Sequence, residues 1–363
     1  MRSFVEAIRR PHGDYEVLFP ITDLQLGTRT LRIGQVAFEQ FDREQLGSIG
    51  HEPEPLELLF AQAIKEFEGR AVARVHVMAG SQGRAVARAQ EAADTALALF
   101  RISFHEFRAH IWDEQLLQRR APVHLVRTPP PKRQILPGWR REFGSLGNLE
   151  LDDALAAAHD QAVRRFVPAL DGSIRGKLGS ALIRAVQWMG GSMLRERYDD
   201  KVVDLCAALE CFLTSQQDRR KGEAIALRSM LLSMALGQGF EHPATTLYLY
   251  ELRSRVVHGS ERDLCGRTDY RSLLGVTYDS LAQAITLIQQ RSLTQLSAFL
   301  RGLEDESLIK QAHAWIAAQD DEHSQALARF ALERLGESSL GRSHGHASRS
   351  AGDRRSGQGT AGK

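Results

Sequence analysis

Apolar and polar residues alternate along Val72–Met78, and again along His105–Trp112 and Val123–Arg127. That period of two predicts β-strands with one buried face. Between them, Arg84 to Leu99 is an Ala-rich stretch that predicts a helix. Upstream, Leu56, Leu59, Phe60, Ala63, Ile64 and Phe67 repeat at helical spacing after a Pro-containing lead-in. The pattern then stops. Thr128-Pro-Pro-Pro, Pro137-Gly-Trp and Gly144-Ser-Leu-Gly147 exclude a helix and predict an extended connector.

From about residue 150 the spacing is helical almost throughout. Asp152 or Asp153 can cap a helix running to about Phe166. Leu178, Leu182, Ile183, Val186, Met189 and Met193 form the apolar stripe of the next one. Further helices are predicted over Val202–Leu213, Glu223–Leu236, Ala244–His258, Tyr278–Leu303 and Leu308–Leu335. Short connections between such helices predict antiparallel neighbours. Beyond Gly336 the chain is Ser, Gly, Arg and His with almost no apolar content, so a disordered tail is expected. The fold class is therefore α+β. Residues 1–128 form a mixed α/β module, 129–149 a Pro/Gly linker, 150–335 a helical bundle and 336–363 the tail.

Composition narrows the function classes little. The 363 residues carry a formal net charge of only +2, so nucleic-acid binding would need a local basic patch or its doubling in a dimer. Three cysteines, Cys206, Cys211 and Cys265, form no Cys-x-x-Cys pair and suggest a reducing compartment. The first ten residues are charged and hold no apolar signal core, and no apolar run is long enough to span a bilayer. A cytoplasmic protein without a membrane partner is expected.

Chemistry concentrates in Leu247-Tyr-Leu-Tyr-Glu-Leu-Arg-Ser-Arg-Val-Val-His-Gly259, which reads as one amphipathic helix ending at a glycine. Arg253 can hold a phosphate, and His258 can move protons near neutral pH. Spacing alone is weak evidence. Arg119 and His124 repeat it, and Arg70 and His76 nearly do. Those two sit beside a Pro break and on a strand edge, whereas Arg253 and His258 share an uninterrupted helix. The plainer reading makes Arg253 a solvated helix residue and His258 a partner of the helix dipole.

Three blocks set this tract in a wider pattern. One is Ala181-Leu-Ile-Arg-Ala-Val-Gln-Trp188, continuing into Tyr198–Leu213 with its Ala-Leu-Glu at 208–210. The second is Glu223–Leu232, and the third is Tyr248–Gly259 with Tyr-x-x-Arg-Ser-x-x-Val-His-Gly spacing. Together, over roughly residues 175–300, they resemble the Apea-like branch of the HEPN superfamily of helical, RNA-associated domains. The resemblance implies an all-α HEPN bundle and a homodimeric, metal-independent endoribonuclease that needs no cofactor. It further implies a role in antiviral defence, abortive infection or toxin-like growth arrest, with the N-terminal module as sensor or regulator. Some members of the superfamily are not catalytic. The alternative is an inert RNA-binding or dimerisation module with signalling in the N-terminal part.

In RNA self-cleavage the 2′-hydroxyl attacks the adjacent phosphorus and expels the 5′-oxygen, leaving a cyclic phosphate. His258 suits the proton transfers, and Arg253 suits the negative charge that builds on the phosphate. Five residues along a helix, however, turn two side chains about 140° apart. Either the last turn unwinds at Gly259, or two copies share one cleft. The resemblance implies the second, and it places Ser254 at the polar position after the arginine. Glu210 is a candidate to orient Arg253 from a facing helix, with a plain surface glutamate as the equal alternative. Arg255, Tyr250, Arg219, Arg220 and Lys221 are candidate RNA-binding residues. For Arg255 a salt bridge to Glu251 competes with that role, and for the 219–221 run a solvated charge cluster does. Tyr248 is a second candidate for base stacking, although helical spacing puts at least one of the two tyrosines in the core.

Other motifs carry less. Gly172–Leu178 is one residue short of a phosphate loop, and Gly80–Gly83 reads as a tight turn. Cys206 and Cys211 read as small core residues, and His344 and His346 fall in the tail. No metal site is expected.

Overall fold

The structure, a computed structural model, describes residues 13–21, 24–41, 67–103, 124–127, 133–136, 149–150, 163–239, 243–259 and 262–347. An antiparallel sheet comes first. Its strands are β1 (Gly13–Ile21), β3 (Thr30–Ile33), β4 (Val36–Gln40), β5 (Ala71–Ala79), β6 (His124–Arg127) and β7 (Arg133–Leu136), in spatial order β3-β4-β5-β1-β6-β7. Two short strands, β2 (Leu24–Gln25) and β8 (Leu149–Glu150), pair in parallel apart from it.

The central register sets Val17 against Val75 and Phe19 against Ala73, with Val36 and Phe38 opposite the same two residues of β5. These side chains share one face and are buried. The other face carries charge. Arg74 reaches Glu16 (2.9 Å) and Glu39, and His76 lies 3.4 Å from Glu16.

Helix α1 (Gln82–Ser103) covers the apolar face. Its Ala85, Ala89, Ala93 and Ala96 are buried, and small residues at that spacing permit close approach. The other side of α1 meets α3 (Gly176–Ser192), which follows the single turn α2 (Val167–Leu170). A Cβ at Gly190 would collide with Ala98. Gln187 donates to Thr95 (2.8 Å), and the buried Arg101 donates to the Gly190 carbonyl (3.1 Å). Sheet and helices thus share one apolar core, from Val17 and Phe38 through Leu97 to Leu182, Phe212 and Ile285.

The remaining helices are α4 (Tyr198–Leu213), α5 (Lys221–Ala235), α6 (Pro243–Gly259), α7 (Arg267–Gln290), α8 (Leu296–Leu303), α9 (Glu306–Ala317) and α10 (Glu322–Ala347). Each of α4 to α6 falls within a few residues of its predicted span. A second apolar cluster packs α9 and α10 on the outer sides of α5 and α6, through Leu227, Leu231, Leu247, Ile309, Ile316 and Phe330.

Several expectations need correction. The helix expected over Tyr278–Leu303 begins earlier, at Arg267, and breaks after Gln290, where Ser292 adopts φ +50. The span Leu308–Leu335 is two helices. Asp321 ends the first segment's reach by capping the second, accepting from Ser324 N–H (2.9 Å) and its hydroxyl (2.7 Å). The backbone of α10 continues past Gly336 to Ala347, into the expected disordered tail. Within the expected linker, Arg133–Leu136 and Leu149–Glu150 are strands. The predicted elements over Leu56–Ile64 and His105–Trp112 lie outside the described residues, as does most of the one expected from Asp152 to Phe166. No helix among the described residues is long and apolar enough to cross a membrane.

Candidate functional site

Helix α6 runs unbroken to Gly259, so its last turn does not unwind. Arg253 and His258 therefore leave one regular helix about 140° apart. Leu247, Leu249 and Leu252 anchor the buried side of α6, while Glu251, Arg255, Val257 and His258 are exposed.

Arg253 points to α4. Its Nη2 lies 3.2 Å from Glu210 Oε1, and its guanidinium stands 5.4 Å from the centroid of the Tyr250 ring. Tyr250, one turn earlier, donates its hydroxyl to the same Oε1 (2.8 Å), and Lys221 donates to Oε2 (2.9 Å). One carboxylate thus gathers two cations and a phenol from α5 and α6. Gly222 makes room, because a Cβ there would come within 2.8 Å of the Tyr250 ring.

The electrostatics follow from this crowding. Burial pushes the Glu210 carboxyl up, but hydrogen bonds from Lys221 and Tyr250 and the charge of Arg253 outweigh it and hold the group below its usual range. Burial, reinforced by the bond to Glu210, pushes the Tyr250 phenol up, so it stays a donor. Cys206, one turn before Glu210, is buried, and that burial keeps its thiol protonated. Arg253 Nε is enclosed and makes no hydrogen bond. The cluster carries two positive charges against one negative, and Lys221 is its most exposed member. Such a site suits an added anion.

The other candidates fall into separate places. Ser254 is half-buried beside Arg253. Arg255 is exposed about 200° round the helix from Arg253. Glu251, its expected partner, is 3.0 Å from His323 Nε2. Tyr248 is exposed and meets the His323 ring edge-on at 5.8 Å, whereas Tyr250 has its hydroxyl and ring face occupied. The three residues of the 219–221 run face different partners. Arg219 is exposed, Arg220 pairs with Glu223 (2.8 Å) and Glu333 (2.9 Å), and Lys221 belongs to Glu210.

Two devices were not singled out by sequence. Asp199, in the first turn of α4 and 2% exposed, accepts from the backbone N–H of Asp263 (2.6 Å), Leu264 (3.1 Å) and Cys265 (2.9 Å). Arg197 adds an ion pair at 2.9 Å. This carboxylate pins the loop that follows the His258 end of α6. The second device is the buried Arg228. It grips Asp218 through both Nη atoms (2.7 and 3.1 Å) and meets Glu304 and the Leu213 carbonyl, while Arg334 closes on Asp218 at 2.7 Å. An Arg in the apolar block Glu223–Leu232 was the available signal for it.

Among the described residues no cluster of three or more His, Cys, Asp or Glu side chains is placed to hold a metal ion. Cys206, Cys211 and Cys265 are unpaired thiols. No family model matches the chain, and no curated protein or solved structure matches it either.

Proposed function

We propose that this chain is a HEPN-type, metal-independent endoribonuclease acting as a cytoplasmic homodimer in antiviral defence or toxin-like growth arrest. The observation that carries the reading is the Glu210–Arg253 pair. Glu210 belongs to the Ala-Leu-Glu block, Arg253 to the Arg-Ser-x-x-Val-His-Gly tract, and Gly222 and Lys221 lead into the block between them. Blocks chosen only by their resemblance to HEPN domains thus converge on one partly open cluster with surplus positive charge.

In the reaction, a base takes the 2′-hydroxyl proton as that oxygen attacks phosphorus, and an acid protonates the departing 5′-oxygen. His258 serves one of these steps and contributes on the order of 10² to 10⁴-fold. Arg253 holds the non-bridging oxygens as their charge grows, with Glu210 fixing its side chain. Because both residues leave one regular helix in different directions, the productive pair joins Arg253 of one copy to His258 of another. The N-terminal sheet is a fitting regulator, since α1 contacts α3 closely enough that Gly190 tolerates no side chain.

The test is cleavage of fluorescent single-stranded RNA in EDTA, with analysis of product ends. Wild type should leave cyclic phosphates, and Arg253→Ala and His258→Ala should each be inactive. Mixing the two variants should restore cleavage, because one site of a mixed dimer keeps both groups. Inactivity of wild type in the presence of its trigger defeats the proposal in favour of an inert RNA-binding module, and full activity of His258→Ala defeats the role given to His258.

A further inference from the structure

Glu210 meets Arg253 as an ion pair, with Nη2 3.2 Å from Oε1. An ion pair fixes a distance better than a plane. An arginine side chain has several rotatable bonds, and its flat guanidinium can still swing about the carboxylate. A group that must meet a phosphate at a set angle needs a second support.

Tyr250 supplies it. Three residues earlier on α6, it shares a helix face with Arg253. The guanidinium stands over its ring, with Cζ 5.4 Å from the centroid. The ring is itself held at two places. Its hydroxyl donates to Glu210 Oε1 (2.8 Å), the same oxygen that faces Arg253. On the Cδ1 side, α5 brings Gly222 so near that an added Cβ would stand 2.8 Å from that atom. Gly222 lies in the first turn of α5 with an ordinary helical backbone, where glycine is disfavoured. What it provides there is room for the ring.

The arginine adds its own constraint. Its Nε is enclosed and makes no hydrogen bond. An incoming oxygen therefore reaches Arg253 only at the terminal amines, and Nη2 already faces Glu210. The plane of the guanidinium decides whether the other amine points outward.

We propose that Tyr250 is a positioning residue: its ring sets the plane of the Arg253 guanidinium, its hydroxyl ties that plane to Glu210, and Gly222 keeps the space it needs. This role replaces base stacking for Tyr250, since Arg253 and Gly222 take up the ring.

The kinetic consequences rest on the nuclease reading. Cleavage of single-stranded RNA by the full chain, at limiting and saturating substrate, separates the two roles. Tyr250→Phe keeps the ring and loses the bond to Glu210, so kcat should fall about fivefold with KM unchanged. Tyr250→Leu also loses the ring and should lower kcat about 20-fold. Gly222→Ala pushes the ring aside and should fall between them. Base stacking predicts another pattern, in which Phe serves as well as Tyr and Leu raises KM. That pattern would overturn the proposal.

A second readout does not depend on cleavage. The Arg253 Nε–H proton, identified by its loss in Arg253→Lys, can be followed by NMR as it exchanges with water. Tyr250→Leu should speed that exchange by at least about tenfold, because the side chain leaves its enclosed place. Should Tyr250→Leu fail to fold, Gly222→Ala is measured instead. Equal exchange in wild type and variant would overturn the proposal even if RNA is cut. Absence of cleavage by wild type would defeat the nuclease reading alone, and faster exchange would still establish Tyr250 as the support of Arg253.

Discussion

Two charge clusters in the helical region use the same kinds of residue to opposite ends. Around Asp218, two carboxylates (Asp218, Glu304) face two arginines (Arg228, Arg334), and the central pair is almost wholly buried, at 2% and 4% side-chain exposure. Around Glu210, one carboxylate faces Arg253 and Lys221, and the members are partly exposed, at 18% for Glu210, 21% for Arg253 and 44% for Lys221. The first cluster is neutral and saturated, joining the end of α4 to α5, α8 and α10. It is a structural joint. The second carries one more positive charge than negative and stays partly open to solvent. Balance of charge and burial, rather than the presence of Arg beside Glu, separates a staple from a site.

The sharpest way to break this comparison is to remove the central arginine of each cluster. Arg228→Met should cost about 3–5 kcal/mol in urea unfolding, because Asp218 keeps only Arg334 and Ser215 while Glu304 and the buried Leu213 carbonyl lose the Arg228 donor. Arg253→Ala should cost no more than about 1 kcal/mol, since Lys221 and Tyr250 still satisfy Glu210. Equal losses would erase the distinction.

Next in size is His258→Ala, expected to lower RNA cleavage by at least about 100-fold with the urea midpoint unchanged, because the side chain is exposed. A fall in stability parallel to the fall in activity would make His258 structural. A smaller effect is expected for Glu210→Gln, which keeps shape but removes the charge orienting Arg253. Cleavage should drop about tenfold, in kcat more than in KM. A change in KM alone would mean that Glu210 merely shapes the binding surface.

The smallest effect is that of acid. Burial raises the Asp218 carboxyl, but Arg228 and Ser215 outweigh it and hold the group at about 2, below its ordinary 3.8. A depressed carboxylate stabilises the fold above its unfolded value and loses that contribution as pH falls. Stability should therefore decline as pH drops from 3.8 towards about 2, and Arg228→Met should flatten that decline. An unchanged acid limb in the variant would show that other carboxylates dominate it.

Legibility in the sequence followed the range of the interactions. Helices α3 to α6 could be read because their apolar stripes repeat locally, as with Leu178, Leu182, Val186 and Met189. Strand β5 could be read from its alternation. The break at Ser292 and the cap at Asp321 were hidden, because apolar spacing carries on across both and only backbone geometry interrupts it. Beyond Gly336 the composition lacks apolar residues, and the backbone continues the helix before it as far as Ala347, the last described residue.

The same division holds at the candidate site. From sequence alone came Arg253 and His258 on one helix, because that rests on spacing within a helix, and Glu210 only as one candidate to face the arginine, with a plain surface glutamate as the competing reading. Only the tertiary structure decided what each charge pairs with. It assigned Lys221 and Tyr250 to Glu210, Arg220 to Glu223 and Glu333, and Asp199 to the loop at 263–265. Hydrophobic periodicity is written along one helix at a time. The partner of a charged side chain is set by which distant helix arrives beside it, and that depends on the packing of the whole core.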